Sequence, residues 1–198
     1  MVLLVAVLVG SIAGLAYAKM TKRIWRPPNF LAVWLAFLGF FPQLLSIYMP
    51  FTRQYFSDQL ASFSLVLSQL LLFLFAVINR RLPGMYLFLF GLGCNLLVIL
   101  LNGGFMPLSI NTAAKLWPDS VLSTLNIGGR IHAASKDILL RGEQIVLPWL
   151  ADRFVSPDFI IPIRFAYSFG DVLISFGAFY LLLKSTVPFT LPHQERTL

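Results

Sequence analysis

Charge is scarce in this sequence. Only 12% of its 198 residues are Asp, Glu, Lys or Arg, against roughly a quarter in a soluble domain of this size. So few charged side chains cannot solvate a whole protein surface, which argues against an ordinary water-soluble domain. Cysteine is nearly absent. Cys94 stands alone, so no internal disulfide forms and cysteine usage says nothing about compartment. Two His and one Cys do not make a Cys/His metal cluster, and no metal is expected. No glycine-rich phosphate loop occurs and no cofactor is expected. The net charge of +7 on its own would suggest nucleic acid as a partner, but the basic residues sit at the ends of apolar runs. Anionic headgroups and the insertion machinery explain them there, and nucleic acid is not expected.

What the chain has instead is apolar length. Hydrophobic residues make up 58%, with 19 Phe. About 20 apolar residues in a helix cross a hydrocarbon core about 30 Å thick. Such stretches occur near 1–19, 29–49, 59–79, 83–101 and 165–184. Lipid offers no partner for an unpaired amide, so each is expected to be a helix. The expected fold class is all-α: a single polytopic membrane helix bundle of about five spans over residues 1–198. Ala16-Tyr17-Ala18 looks like a signal-peptide cleavage site, but the charges Lys19, Lys22, Arg23 and Arg26 follow the apolar run instead of preceding it. The first run therefore reads as a retained helix. Its Gly10 and Gly14 have the spacing that lets another helix approach closely. The four basic residues after the first run, and Arg80 with Arg81, belong in the cytoplasm; Arg53 is offset by Asp58, as expected outside. The N-terminus is then outside and the C-terminus inside. Residues 102–164 form a long outer segment, expected to hold short interfacial helices with Ser109 and Asp119 as N-caps.

Several residues there and in the spans invite a functional reading. Asn102-Gly103-Gly104-Phe105-Met106-Pro107 is either a helix stop or a turn whose amides face a polar cavity. Asp171 opens the last apolar run, where an ionisable group needs a partner, a cap position or a water-filled cavity. Asp152, followed by Arg153, and Asp158 are further acids of the same region. If folding joined Asp152 to Asp171, the two carboxylates could share a proton and act as base and acid on a water. His132, near Lys136 and Asp137, has no serine or cysteine in a nucleophile context and reads as structural. Gln43, Ser68, Gln69, Asn79 and Asn95 put polar groups within or at the ends of spans, where each bonds another helix. Pro42 is expected to kink the second helix.

Two resemblances follow from these motifs. The basic loop after the first helix, Asn102-Gly103-Gly104-Phe105-Met106-Pro107, His132, Trp149-Leu150-Ala151-Asp152 and Ser168-Phe169-Gly170-Asp171 together resemble an uncharacterised bacterial membrane family, a domain of unknown function. That likeness implies topology and a bacterial origin, hence a bacterial inner membrane as the expected location, and carries no activity. The order Asn102-Gly103-Gly104-Phe105, Asp152-Arg153, Val155, Asp158-Phe159, then Phe165 and Asp171 is similar to lipoprotein signal peptidase. This second likeness implies Asp152 and Asp171 as a catalytic dyad. The residues alone favour a non-catalytic membrane protein, an accessory or assembly subunit that docks a protein partner through its outer segment. An intramembrane aspartyl hydrolase and a small-molecule-binding membrane component are the alternatives.

Overall fold

A computed structural model describes residues 1–157 and 164–188. Asp158 and Phe159 lie outside the described residues. Helix α1 (Val2–Met20) runs along α8 (Phe169–Lys184), and α8 lies against α5 (Met85–Leu101). Glycine sets how closely they approach. A Cβ on Gly10 would sit 3.0 Å from the Phe179 Cα, and one on Gly91 would sit 2.6 Å from the Gly170 carbonyl oxygen. Neither crossing has room for a side chain. Gly14 serves another contact: the Trp25 indole lies over it and donates Nε1–H to the Leu182 carbonyl at 3.0 Å. The basic loop after α1 is thereby fixed, and β1 (Arg23–Trp25) pairs antiparallel with β6 (Thr186–Pro188) beyond α8.

Helix α2 (Val33–Gln43) packs on α4 (Asp58–Ile78). Pro42 has no amide hydrogen to give to the helix, and the chain continues from α2 as a π turn over Leu44–Tyr48. A one-turn helix α3 (Pro50–Arg53) leads into α4, whose start Ser57 caps by accepting from Leu60 N. At the far end of α4, Asn79 bonds both Leu31 N and Leu31 O and so ties the entry of α2 to the exit of α4.

The expected all-α bundle of about five spans needs correction. Among the described residues two helices, Val2–Met20 and Asp58–Ile78, are long and apolar enough to cross a membrane by length and composition. The runs 29–49, 83–101 and 165–184 hold shorter helices because local signals start them late. Ala32 and Gly84 adopt positive φ immediately before α2 and α5, and Ser168 caps α8 only after an extended Ala166–Tyr167. Helices α5 and α8, at 17 and 16 residues, rise only about 25 Å.

The outer segment is not purely helical either. Parallel strands β2 (Met106–Ser109) and β3 (Asp137–Leu140) pair, as do antiparallel β4 (Phe154–Val155) and β5 (Ala166–Tyr167). Prolines and glycines stop helices there, so backbone groups are satisfied laterally. The helices α6 (Ile110–Ala113) and α7 (Asp119–Leu122) are single turns. Ser109 caps α6, whereas Pro118 takes the cap position of α7 and leaves Asp119 in its first turn.

Two polarities emerge. Arg26, Pro83, Lys184 and Thr186 line one cleft at the end where α1, α4 and α8 finish. Ion pairs involving Asp58, Asp137 and Asp152 lie at the opposite end. Between the ends the helices expose large apolar side chains, among them Ile12, Phe37, Phe63, Phe90 and Phe176, each more than 60% exposed. Large apolar side chains exposed together mark a surface that meets a membrane or a partner. A buried cluster of Ile47, Leu65, Val98, Met106 and Leu150 welds the outer segment to the helices. Each such side chain is worth about 1.5–3 kcal/mol of burial.

Candidate functional site

Ser168-Phe169-Gly170-Asp171 begins α8 as a reciprocal cap. Ser168 Oγ accepts from Asp171 N at 3.0 Å, and Asp171 Oδ2 accepts from Ser168 N at 3.1 Å. Asn95 of α5 reaches across to both: its Nδ2 donates to Asp171 Oδ1 at 2.8 Å, and its Oδ1 accepts from Ser168 Oγ at 2.9 Å. This contact explains Gly170, whose position faces Asn95 Oδ1 too closely for a Cβ. Asp171 is thus a cap residue locked to the neighbouring helix.

Asp152 comes from the outer segment. Its amide donates to the Pro107 carbonyl at 3.2 Å, extending the β2–β3 pair, and only 1% of the residue is exposed. Lys136 Nζ donates to Asp152 Oδ2 at 3.0 Å and lies 3.5 Å from Asp137 Oδ1. The loop before Lys136 is held by Arg130. Its guanidinium bonds the Ala133 and Ser135 carbonyls, pairs with Asp58 at 3.1 Å and stacks over Phe105. Burial alone would lower Lys136, but the charges of Asp152, Asp137 and Asp171 raise it well above the usual lysine value. Burial pushes Asp152 up to about 7 against the pull of Lys136, with Asp137 and Asp171 adding to the rise. One ammonium therefore pairs with both Asp152 and Asp137.

Lys136, Asn95 and Asp171 line a cavity of about 410 Å³ whose other walls are apolar or aromatic, including Phe40, Leu72, Phe88, Leu92 and Ile174. Gln69 of α4 also lines it, and its buried Oε1 has no hydrogen-bond partner. Volume and lining suit a small molecule with one polar end. Among the described residues, no three His, Cys, Asp or Glu side chains gather as a metal-binding group.

The remaining candidates lie elsewhere. Asn102 is the C-cap of α5; its Nδ2 donates to Val98 O and Val146 O, and its Oδ1 accepts from Val146 N. Gly103 and Gly104 follow at positive φ, and Gly104 abuts Ser62. This turn is a helix stop that clamps the outer segment. His132 is exposed, its carbonyl taken by Ser135 N. Arg153 stacks over Phe154 and lines a separate outer groove. Asp152 and Asp171 belong to one charge cluster, but each has its own donors and Asp152 Oδ1 has no hydrogen-bond partner. Sequence reasoning passed over Lys136 as a site residue. Its signal was a Lys-Asp pair following Ala133-Ala134-Ser135, between polar turns and the apolar Ile138-Leu139-Leu140. Ser168 was also passed over, the cap position having been offered to Asp171; its signal was a Ser-x-x-Asp spacing at the start of an apolar run.

No curated protein and no solved structure is detectably similar to this chain. One family model matches residues 28–183, a span that takes in α2, α4, α5, the outer segment and nearly all of α8. The chain therefore belongs to the family of unknown function DUF5317.

Proposed function

We propose that this protein is a multi-pass membrane component that binds a neutral amphipathic small molecule in the cavity beside Lys136. The observation that carries this reading is a half-buried lysine, paired to a buried carboxylate, at the wall of an apolar cavity that also holds the orphaned Gln69 Oε1. A ligand's polar end would donate to Gln69 Oε1 and accept the remaining hydrogen of Lys136 Nζ. Its apolar body would lie against Phe40, Leu72, Phe88 and Ile174. An anionic head would meet the Asp171 carboxylate and a cationic one would lie beside Lys136, so a neutral oxygen function fits best. A bilayer setting is supported by the exposed apolar side chains of α1, α2, α4, α5 and α8. The basic residues at one end favour that end as cytoplasmic, in a bacterial inner membrane with the N-terminus outside.

The test is native mass spectrometry of protein extracted from its own membranes in mild detergent. A reproducible bound mass that is lost in Gln69→Leu supports the reading. No bound mass, together with no thermal shift from long-chain alcohols, amides or quinones, overturns it. The accessory-subunit reading keeps support from Val121, Ile127, Val146 and Trp149, apolar residues exposed on the outer segment. A protein that elutes alone from native membranes would end that second reading. The hydrolase reading has less support, because Asp171 accepts from Asn95 and Ser168 and Asp152 from Lys136, with no hydrogen bond between the two carboxyls among the described residues.

A further inference from the structure

Asp152 stands behind one space and lines another. Its Oδ2 accepts from Lys136, which lines the inner cavity, while Asp152 itself forms part of a separate groove of about 480 Å³. That groove is built from Ser109, Asn111, Thr112, Lys115, Trp149 and Arg153, with Ile145 and Pro148 as its apolar parts. Neither Lys115 nor Arg153 has a carboxylate partner among the described residues. Asp152, 1% exposed, leaves Oδ1 without a hydrogen bond. A buried carboxylate oxygen without a donor is costly, and a bound donor removes that cost.

We propose that the outer groove is a binding site for a phosphate ester that carries a free hydroxyl, of the glycerol phosphate type. The two unpaired cations take the phosphate, Arg153 with its fork of donors and Lys115 as a point charge. The hydroxyl donates to Asp152 Oδ1. An ammonium at that position would face Lys136, Lys115 and Arg153, so a neutral donor is favoured over an aminoalkyl phosphate. Asn111, Ser109 and Thr112 supply further polar contacts, and the exposed face of Trp149 covers the carbon skeleton. This site shares no cation with the inner cavity, so it stands whether or not that cavity binds a ligand.

Free glycerol phosphate and a lipid headgroup offer the same chemistry. The experiment titrates full-length protein in uncharged detergent with glycerol 3-phosphate, with short-chain phosphatidylglycerol, and with methyl phosphate as the hydroxyl-free control. Saturable binding of glycerol 3-phosphate identifies a soluble ligand; binding of the lipid alone identifies a headgroup. In either case methyl phosphate should bind at least about fivefold more weakly. Arg153→Gln and Lys115→Gln should each weaken binding about tenfold, roughly the loss of one charge-assisted hydrogen bond. Both are surface substitutions that leave the Lys136–Asp152 pair in place, and unchanged melting temperatures verify their folding. The proposal is overturned if neither glycerol ligand binds, if methyl phosphate binds equally well, or if both variants bind like the parent protein.

Discussion

Replacing Lys136 with Met removes the single cation from a group of three carboxylates while keeping most of the side-chain volume. Breaking a buried pair by removing one partner costs about 3–5 kcal/mol when the other charge is stranded. Two features reduce that here. The Lys136 side chain is 32% exposed, so solvent already screens part of the interaction. Asp152 can also escape its charge by taking up a proton. Burial holds its carboxyl at about 7 even with Lys136 present, and losing the ammonium moves it higher still. An acid whose folded pKa is raised is penalised as pH climbs from its unfolded value through its folded one. Below pH 6 Asp152 is largely neutral in both proteins, and the lysine contributes as a donor to a carboxylic acid. Above pH 7 the variant must bury an unpaired carboxylate or hold a proton against solution. Lys136 keeps its charge throughout this window, since its own pKa is raised. The expected deficit of Lys136→Met is about 1 kcal/mol at pH 5.5 and about 2–3 kcal/mol at pH 8. Thermal unfolding in detergent, followed by tryptophan fluorescence, measures both. In Lys136→Met/Asp152→Leu most of the loss at pH 8 should be recovered, because no charge remains stranded. A deficit that does not change with pH, or a double variant as unstable as the two single losses added, would refute this account.

Further tests address the frame around the site. Gly170→Ala should lower stability by about 1–3 kcal/mol, because its Cβ collides with Asn95. Gly142→Ala, with open space around it and no positive φ, should change stability by less than about 0.5 kcal/mol in the same melts. Asn102→Ala should cost about 2–3 kcal/mol by orphaning Val146 N. Hydrogen exchange at Val146 should then speed up well before exchange in α5. Trp25→Phe removes the bond to the Leu182 carbonyl and should cost about 1 kcal/mol. A loss confined to the β1–β6 end, with exchange at Asp152 unchanged, would show that the two ends are independent.

How much of this could be read from the sequence depended on how local the signal was. The positions of α1 and α4 were legible because an apolar run announces itself without reference to anything distant. The helix stop at Asn102-Gly103-Gly104 was equally local. Helix boundaries were less so: Ala32 precedes α2 at positive φ, which alanine's own preferences do not signal. The strands were missed because each is at most four residues and pairs with a partner far along the chain, as Met106 does with Asp137. The site suffered most. Asp152, Lys136, Asn95, Gln69 and Asp171 come from four separate parts of the chain, and only the fold shows that one ammonium pairs with both Asp152 and Asp137. Acids were conspicuous in an apolar sequence; the lysine that organises them was not.

The pairing of the first helix with the last has a consequence for biogenesis. Trp25 and Leu182, which bond each other, are 157 residues apart. At translation rates of about 5–20 residues per second, α1 leaves the ribosome on the order of ten seconds or more before the surface it is shaped for exists. Through that interval Gly10 and Gly14 present a bare groove to lipid or to other helices. Helix α1 is thus made well before the surface that fixes it. A nascent chain arrested anywhere before α8 would leave α1 unclaimed and open to quality-control proteases.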